Sequence, residues 1–305
     1  MRIILLGPTA SGKTELSLQV AEELGIPIIS VDSRQCYKHL DIGTAKPSSE
    51  ELNRVKHFNI SNLELDEADS VQAFSERAEA WEQEILSSHK HSFFVGGSTL
   101  HLQSLIRPID ETPSANKTNI AEIEDQIEEE GIEIVYEKLK SVDPEYIKTM
   151  DGMNRQRIIR ALDVWMQTGK PFSSFHSNNE FMLPENTIVF GLQRERKNLY
   201  ERINQRVESM IEQGLIAETQ KVLDMGYSKG LQPLNAVGYR EIISVLNNEM
   251  DLETAVKKIK TQTRRYAKRQ LTWFRRWDFI QWLPADEKKI EELKEIMLSH
   301  LAAKQ

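Results

Sequence analysis

The feature that most constrains this chain lies at its start. An apolar run, Ile3 to Leu6, breaks into Gly7-Pro8-Thr9-Ala10-Ser11-Gly12-Lys13-Thr14, and Leu16, Val20, Ala21 and Leu24 then recur at helical spacing up to Gly25. A second apolar run, Ile26 to Val31, follows at once and ends at Asp32. Strand, loop, helix and strand with so short a crossover place the two strands parallel in one sheet, so the fold class is α/β. The spacing Gly7-x-x-x-x-Gly12-Lys13-Thr14 between a buried strand and a helix is that of a phosphate-binding loop. Its glycines let backbone amides turn toward an anion, the helix start adds positive field, Lys13 adds charge, and the Thr14 hydroxyl can ligate Mg²⁺. The loop implies a polyphosphate ligand and leaves its identity open.

The remaining chain extends this plan. A strand at Ser92 to Val95 breaks at Gly96-Gly97, and another, Thr187 to Leu192, appears only after a long interval. Val71, Phe74, Ala78, Trp81 and Ile85 form a helical stripe before the third strand. Helical patterns at Ile120 to Glu130, Ile132 to Leu139 and Arg155 to Gln167 fill the interval, which reads as a helical insertion domain, 113–183, in a P-loop core formed by 1–112 and 184–305. From Glu195 the chain reads as helical almost to its end, with turn signals at Gly226, Pro233 and Gly238. No apolar run approaches the ~20 residues that cross a bilayer, and the first apolar run is too short for a signal peptide. A single cysteine, Cys36, makes neither an internal disulfide nor a thiolate metal cage, which suits a reducing compartment. A cytoplasmic protein is expected, without membrane contact and with no obligate protein partner in evidence.

Charge is unevenly placed. The net charge of −8 discourages a nucleic-acid partner, yet nine basic and no acidic residues fall between Thr254 and Arg276. Such an island on an acidic chain is the footprint of a polyanion site, the alternative being a solvated helix face. Tyr266, Trp273 and Trp277 share one face of that helix and are expected to pack on the core, leaving the lysines and arginines for phosphates. The acidic run from Glu122 to Glu130 reads as a solvated face.

Asp32 stands at the carboxyl end of its strand, the edge where open α/β sheets bind ligands, either as a turn carboxylate for Ser33-Arg34-Gln35 or as a general base. The third strand ends in Gly96-Gly97-Ser98-Thr99, with no carboxylate for the Mg²⁺ of a nucleotide hydrolase. Asn116-Lys117-Thr118-Asn119 lacks the final Asp of a guanine-reading motif, which argues against a GTPase. Arg206 falls near the centre of the stripe Leu199, Ile203, Val207 and Met210, and an inward guanidinium needs an anion, whether a carboxylate or a bound phosphate. Small-molecule kinase and P-loop RNA-binding module remain open at this stage.

Taken together, the loop at 7–14, Asp32-Ser33-Arg34-Gln35-x-Tyr37, Asp41-Ile42-Gly43-Thr44-Ala45-Lys46-Pro47, Arg160-Ala161-Leu162-Asp163-Val164, Gly169-Lys170-Pro171, Gly238-Tyr239 and the run Thr263 to Arg275 resemble the bacterial tRNA dimethylallyltransferase family. The resemblance implies transfer of a dimethylallyl group from dimethylallyl diphosphate, with Mg²⁺, to the exocyclic amine of the adenosine 3′-adjacent to the anticodon in a tRNA anticodon stem-loop. It implies a diphosphate held by Gly7, Pro8, Thr9, Ala10, Ser11, Gly12, Lys13, Thr14 and Arg206, with Thr14 toward the metal and Asp32, Arg206 and Lys13 catalytic. It puts tRNA contacts at Asp32, Ser33, Arg34, Gln35, Ser98 and Gln156, Arg157, Ile158, Ile159, Arg160, to which the basic island adds Arg264, Arg265, Lys268 and Arg269. Two departures stand out: the family's Gly-Gly-Thr-Gly-Leu-Tyr is Gly96-Gly97-Ser98-Thr99-Leu100-His101, and Ile120 occupies a frequently basic position.

Overall fold

A computed structural model describes residues 1–107, 110, 112–176 and 183–304, which divide into two units, Met1–Arg107 with Leu183–Gln305, and Pro108–Met182. The first is built on six parallel strands: β1 (Arg2–Leu6), β2 (Ile28–Val31), β3 (His57–Phe58), β4 (Ser92–Gly96), β5 (Thr187–Gln193) and β6 (Gln281–Pro284), in the order β3-β2-β4-β1-β5-β6. Ile3, Ile4, Leu5 and Leu6 are all buried, as a central parallel strand covered on both faces requires. The helix Lys13–Leu24 starts directly at Gly12 and is closed by Gly25, whose left-handed backbone (φ 62°) lets its N–H reach the carbonyls of Ala21 and Glu22. Its Leu16, Val20 and Ala21 share a core with Ile3 and Leu5, and with Leu293, Met297 and Leu301 of the C-terminal helix Ile290–Ala302.

The four strands expected from sequence are present, and two more are added. β3 pairs through only two residues, and β6 interrupts the stretch after Glu195 that reads as helical. Both lie on sheet edges, where a strand is too short to show period-two alternation, and β6 ends in Pro284, a residue edges tolerate. Register then positions the site. Leu6 and Val31 are both level with Gly96, so Gly7, Asp32 and Gly97 emerge side by side at the carboxyl edge of β1, β2 and β4.

The second unit packs the helices Lys117–Glu130, Ile132–Val142, Pro144–Lys148 and Arg155–Thr168 around Ile123, Val135, Leu139, Ile158 and Leu162. Asn116 caps the first of them, accepting from the amides of Thr118 and Asn119, so the run that echoes a guanine motif is a helix start. Ile120 packs against this core, while Glu122, Asp125 and Glu128 to Glu130 are exposed. No helix among the described residues is long and apolar enough to cross a membrane.

Candidate active site

The phosphate-binding loop is held open by side chains from distant parts of the first unit. Ala10 (φ 62°) and Gly12 (φ 102°) take left-handed backbone, which bends the loop around a concavity. Arg202 Nε donates to the Ala10 carbonyl at 2.9 Å, and Arg194 Nε donates to the Ser11 carbonyl at 2.7 Å. Because no described peptide is cis, fixing the Ser11 carbonyl on Arg194 turns the Gly12 N–H the opposite way. Arg194 is itself anchored on Asp286 (2.5 Å) and the Ala285 carbonyl (2.9 Å) at the end of β6. Below the tip, Leu199, Ile203 and Ala267 form an apolar seat for Ala10.

Gln270 completes the support. Its side-chain oxygen accepts the Thr9 N–H at 2.9 Å and its amide nitrogen donates to the Gly97 carbonyl at 2.7 Å, tying the loop after β1 to the end of β4. A Cβ on residue 97 would stand 2.5 Å from Gln270 Nε2 and 3.0 Å from the Gly7 carbonyl, so any larger residue would displace the Gln270 amide from this link. Gln270, Arg194 and Arg202 are site residues that the sequence reading missed. A signal existed for Gln270: it interrupts the buried stripe Ala267, Gln270, Phe274 of the basic helix Leu252–Phe274, and a polar residue on such a stripe needs partners.

Three charged groups meet at this edge. Lys13 Nζ donates to the Gly7 and Pro8 carbonyls, both at 2.9 Å. Its ammonium is pushed down to about 7, chiefly by burial and then by Arg206, with Asp32 opposing. Arg206 comes from the helix Arg196–Glu212, on the expected stripe with buried Leu199, Ile203 and Val207. Burial and then Arg202 lower its pKa while Asp32 raises it, and its one hydrogen bond to a described residue is a long one, 3.5 Å, to the Thr44 carbonyl. Two desolvated basic groups that repel each other beside a glycine-rich helix start are a combination that a compact polyanion would relieve.

Asp32 serves its own turn. Oδ1 accepts the amides of Arg34 (2.8 Å) and Gln35 (3.2 Å), while Oδ2 has no hydrogen bond to a described residue. Gln35 bridges inward to Ser30 Oγ and to the carbonyls of Thr44 and Ala45, which tethers the Asp41 to Pro47 loop and leaves its side chain little freedom to meet RNA. Arg34 Nη1 donates to the Ser33 carbonyl and to Gln232. Glu218 anchors the same loop by accepting the amides of Asp41, Ile42 and Gly43 and the Tyr239 hydroxyl (2.6 Å). Ser98 Oγ lies 3.0 Å from Nδ1 of buried His101, so two of the three residues that depart from the family pattern in this motif pair with each other.

The basic helix corrects one expectation. Trp277 is buried and Trp273 half-buried, but Tyr266 is 39% exposed and outside the core. Arg265, Lys268 and Arg269 are exposed with no carboxylate partner among the described residues, whereas Arg264 bonds Asn204 and Thr261, Lys257 pairs with Glu253, and Lys260 with Glu208. In the second unit Gln156 and Arg157 are exposed, but Ile158 and Ile159 are not available for RNA: the helix turns both into the core. Arg160 is committed to buried Asp163 at 2.8 Å and to Thr112.

Thr14 is exposed at the helix start, and no cluster of three or more His, Cys, Asp or Glu that could hold a metal occurs among the described residues. One hydroxyl beside a polyphosphate suits Mg²⁺, which keeps much of its water and binds through substrate phosphates.

Comparison with known proteins agrees with this arrangement. The model of the IPP transferase family matches residues 35–277. A tRNA dimethylallyltransferase of Thermoanaerobacter sp. (strain X514) is 42% identical, covering 99% of this chain and 98% of that one, and that of Clostridioides difficile (strain 630) is 41% identical over 97% and 96%. The crystal structure of a tRNA isopentenylpyrophosphate transferase from Staphylococcus epidermidis superposes with a TM-score of 0.74 at 33% identity, covering 100% of this chain and 99% of that one. A eukaryotic dimethylallyltransferase acting on tRNA gives 0.78 at 25% identity over 93% and 74%. With a parallel α/β sheet, a glycine-rich strand-to-helix loop that carries Lys13, and these likenesses along nearly its whole length, the chain belongs to the tRNA dimethylallyltransferase family.

Proposed function

We propose that the protein transfers the dimethylallyl group of dimethylallyl diphosphate to the exocyclic amine of the adenosine 3′-adjacent to the tRNA anticodon, releasing diphosphate. The observation that carries the reading is the convergence of Lys13, Arg206 and Asp32 at a sheet edge whose β4 ends in glycines and a serine. An allylic diphosphate already contains its leaving group, so the site has to bind and neutralise diphosphate and does not need the machinery of nucleotide hydrolysis.

In this scheme the amine nitrogen attacks the allylic carbon, the carbon–oxygen bond breaks toward diphosphate, and the amine proton passes to Asp32. The turn fixes Asp32 through Oδ1 and leaves Oδ2 to receive that proton. The amides of the loop, Lys13 and Arg206 take the charge that develops on the leaving oxygen; loss of one such preorganised donor typically lowers rate by about 10² to 10³. Thr14 would hold Mg²⁺, which supplies further charge neutralisation when bound. The target base must leave the anticodon stack, at a cost of a few kcal/mol. Exposed Arg265, Lys268 and Arg269 would offset that cost by contacting backbone phosphates. A cytoplasmic setting accords with this role.

Stoichiometry tests the reading. Incubation with dimethylallyl diphosphate, Mg²⁺ and tRNA should release one diphosphate for each tRNA modified, and ATP in place of the allylic donor should yield no phosphoryl transfer. Phosphoryl transfer from ATP without prenylation would show a kinase instead.

A further inference from the structure

Tyr266 is the most exposed aromatic side chain among the described residues. It sits on the basic helix one turn before Gln270, and residues four apart lie on one helical face, so the ring is on the side that touches the Thr9 amide and the Gly97 carbonyl. It is 39% exposed, yet its phenol is pushed up to about 12, first by burial and then by the Asp32 carboxylate, with Arg34 and Arg269 acting the other way. The ring is therefore open to solvent on a helix that braces the loop after β1. The guanidinium of Arg269, a cation without a carboxylate partner among the described residues, lies over the ring, 5.8 Å from its centroid. A flat face and a phosphate-seeking cation together, in the electrostatic reach of Asp32, match the parts of a nucleotide: base on the ring, backbone on the arginine.

We propose that Tyr266 is a substrate-binding residue of the acceptor side, whose ring stacks on the extruded target purine and holds its amine toward Asp32. The proposal rests on the prenyl-transfer reading for the identity of that purine. The dimethylallyl chain is the competing occupant of the ring face, and the two are separable by which substrate's parameters respond.

The test compares wild type with Tyr266→Ala and Tyr266→Phe. Loss of a base–aromatic stack should lower kcat/KM for tRNA on the order of tenfold to a hundredfold in Tyr266→Ala, with the KM for dimethylallyl diphosphate unchanged. Tyr266→Phe, which keeps the face and loses the hydroxyl, should recover most of that loss. An anticodon stem-loop with 2-aminopurine at the target position reads the stack without any chemistry: fluorescence should stay quenched on binding wild type or Tyr266→Phe and rise on binding Tyr266→Ala. Equal fluorescence in all three proteins would overturn the proposal, as would a change confined to the KM of the diphosphate, which would place the prenyl chain on the ring. A lowered melting temperature with equal losses for both substrates would also overturn it, by making the ring a packing element. If wild type binds the stem-loop but transfers nothing, the proposed activity fails, and the fluorescence comparison still decides for or against the stack.

Discussion

Replacing Gln270 by methionine keeps length and volume but removes both ends of the link between the phosphate-binding loop and β4. The Gly97 carbonyl, whose bond to Gln270 is buried, loses its partner, and the part-buried Thr9 N–H loses its acceptor. A stranded buried polar group costs about 1–3 kcal/mol, and water can reach Thr9 more readily than Gly97, so the loss of stability should be about 2–4 kcal/mol. Urea unfolding followed by circular dichroism measures it as a fall in midpoint at unchanged slope. The same variant should raise the KM for dimethylallyl diphosphate, because the loop's start is no longer fixed against Gly97, while tRNA affinity holds because no exposed cation has changed. A loss below about 0.5 kcal/mol, with donor KM unaltered, would refute the reasoning, since surface substitutions alone fall in that range.

The remaining predictions concern charge. With Lys13 held down to about 7 in the ligand-free protein, diphosphate binding restores its charge; at pH 8 binding should be accompanied by net proton uptake, measured by calorimetry in buffers of different ionisation enthalpy. The sign follows: the complex holds more protons than the free protein, so affinity should fall as pH rises from about 8, and proton release or pH-independent affinity there would contradict it. Asp32→Asn should slow single-turnover transfer by about 10² to 10⁴ while both substrates still bind, and a rate within about threefold of wild type would remove Asp32 as the base. Replacing Arg265, Lys268 and Arg269 together by alanine should reduce the log–log salt slope of tRNA binding by about 2–3, each lost phosphate contact removing about 0.7–0.9. An unchanged slope would make them a solvated face.

Legibility in the sequence follows contact range. The loop, its strand and its helix could be read because their signals are local: glycine spacing, an apolar run and helical periodicity occupy adjacent residues. Arg206 was readable because a cation on an apolar stripe violates the pattern. Arg194, Arg202 and Gln270 were missed because their partners are far along the chain, Ser11, Ala10 and Thr9, and only the folded sheet brings them together. Periodicity assigns Tyr266 to the core, but its helix buries Ala267, Gln270 and Phe274 and leaves the tyrosine 39% exposed. Ile158 and Ile159 carried a tRNA role through the resemblance alone, and helical periodicity, which the structure obeys, buries them.

The central claim is that this site joins an allylic group to an RNA base. Incubating unmodified tRNA with the protein, Mg²⁺ and dimethylallyl diphosphate, then digesting to nucleosides and analysing them by mass spectrometry, tests it most directly. One adenosine per tRNA should carry a dimethylallyl group on its exocyclic amine, mapped to the position 3′ of the anticodon and absent with Lys13→Ala. Unmodified adenosine throughout, or a prenyl group that persists with Lys13→Ala, would contradict it.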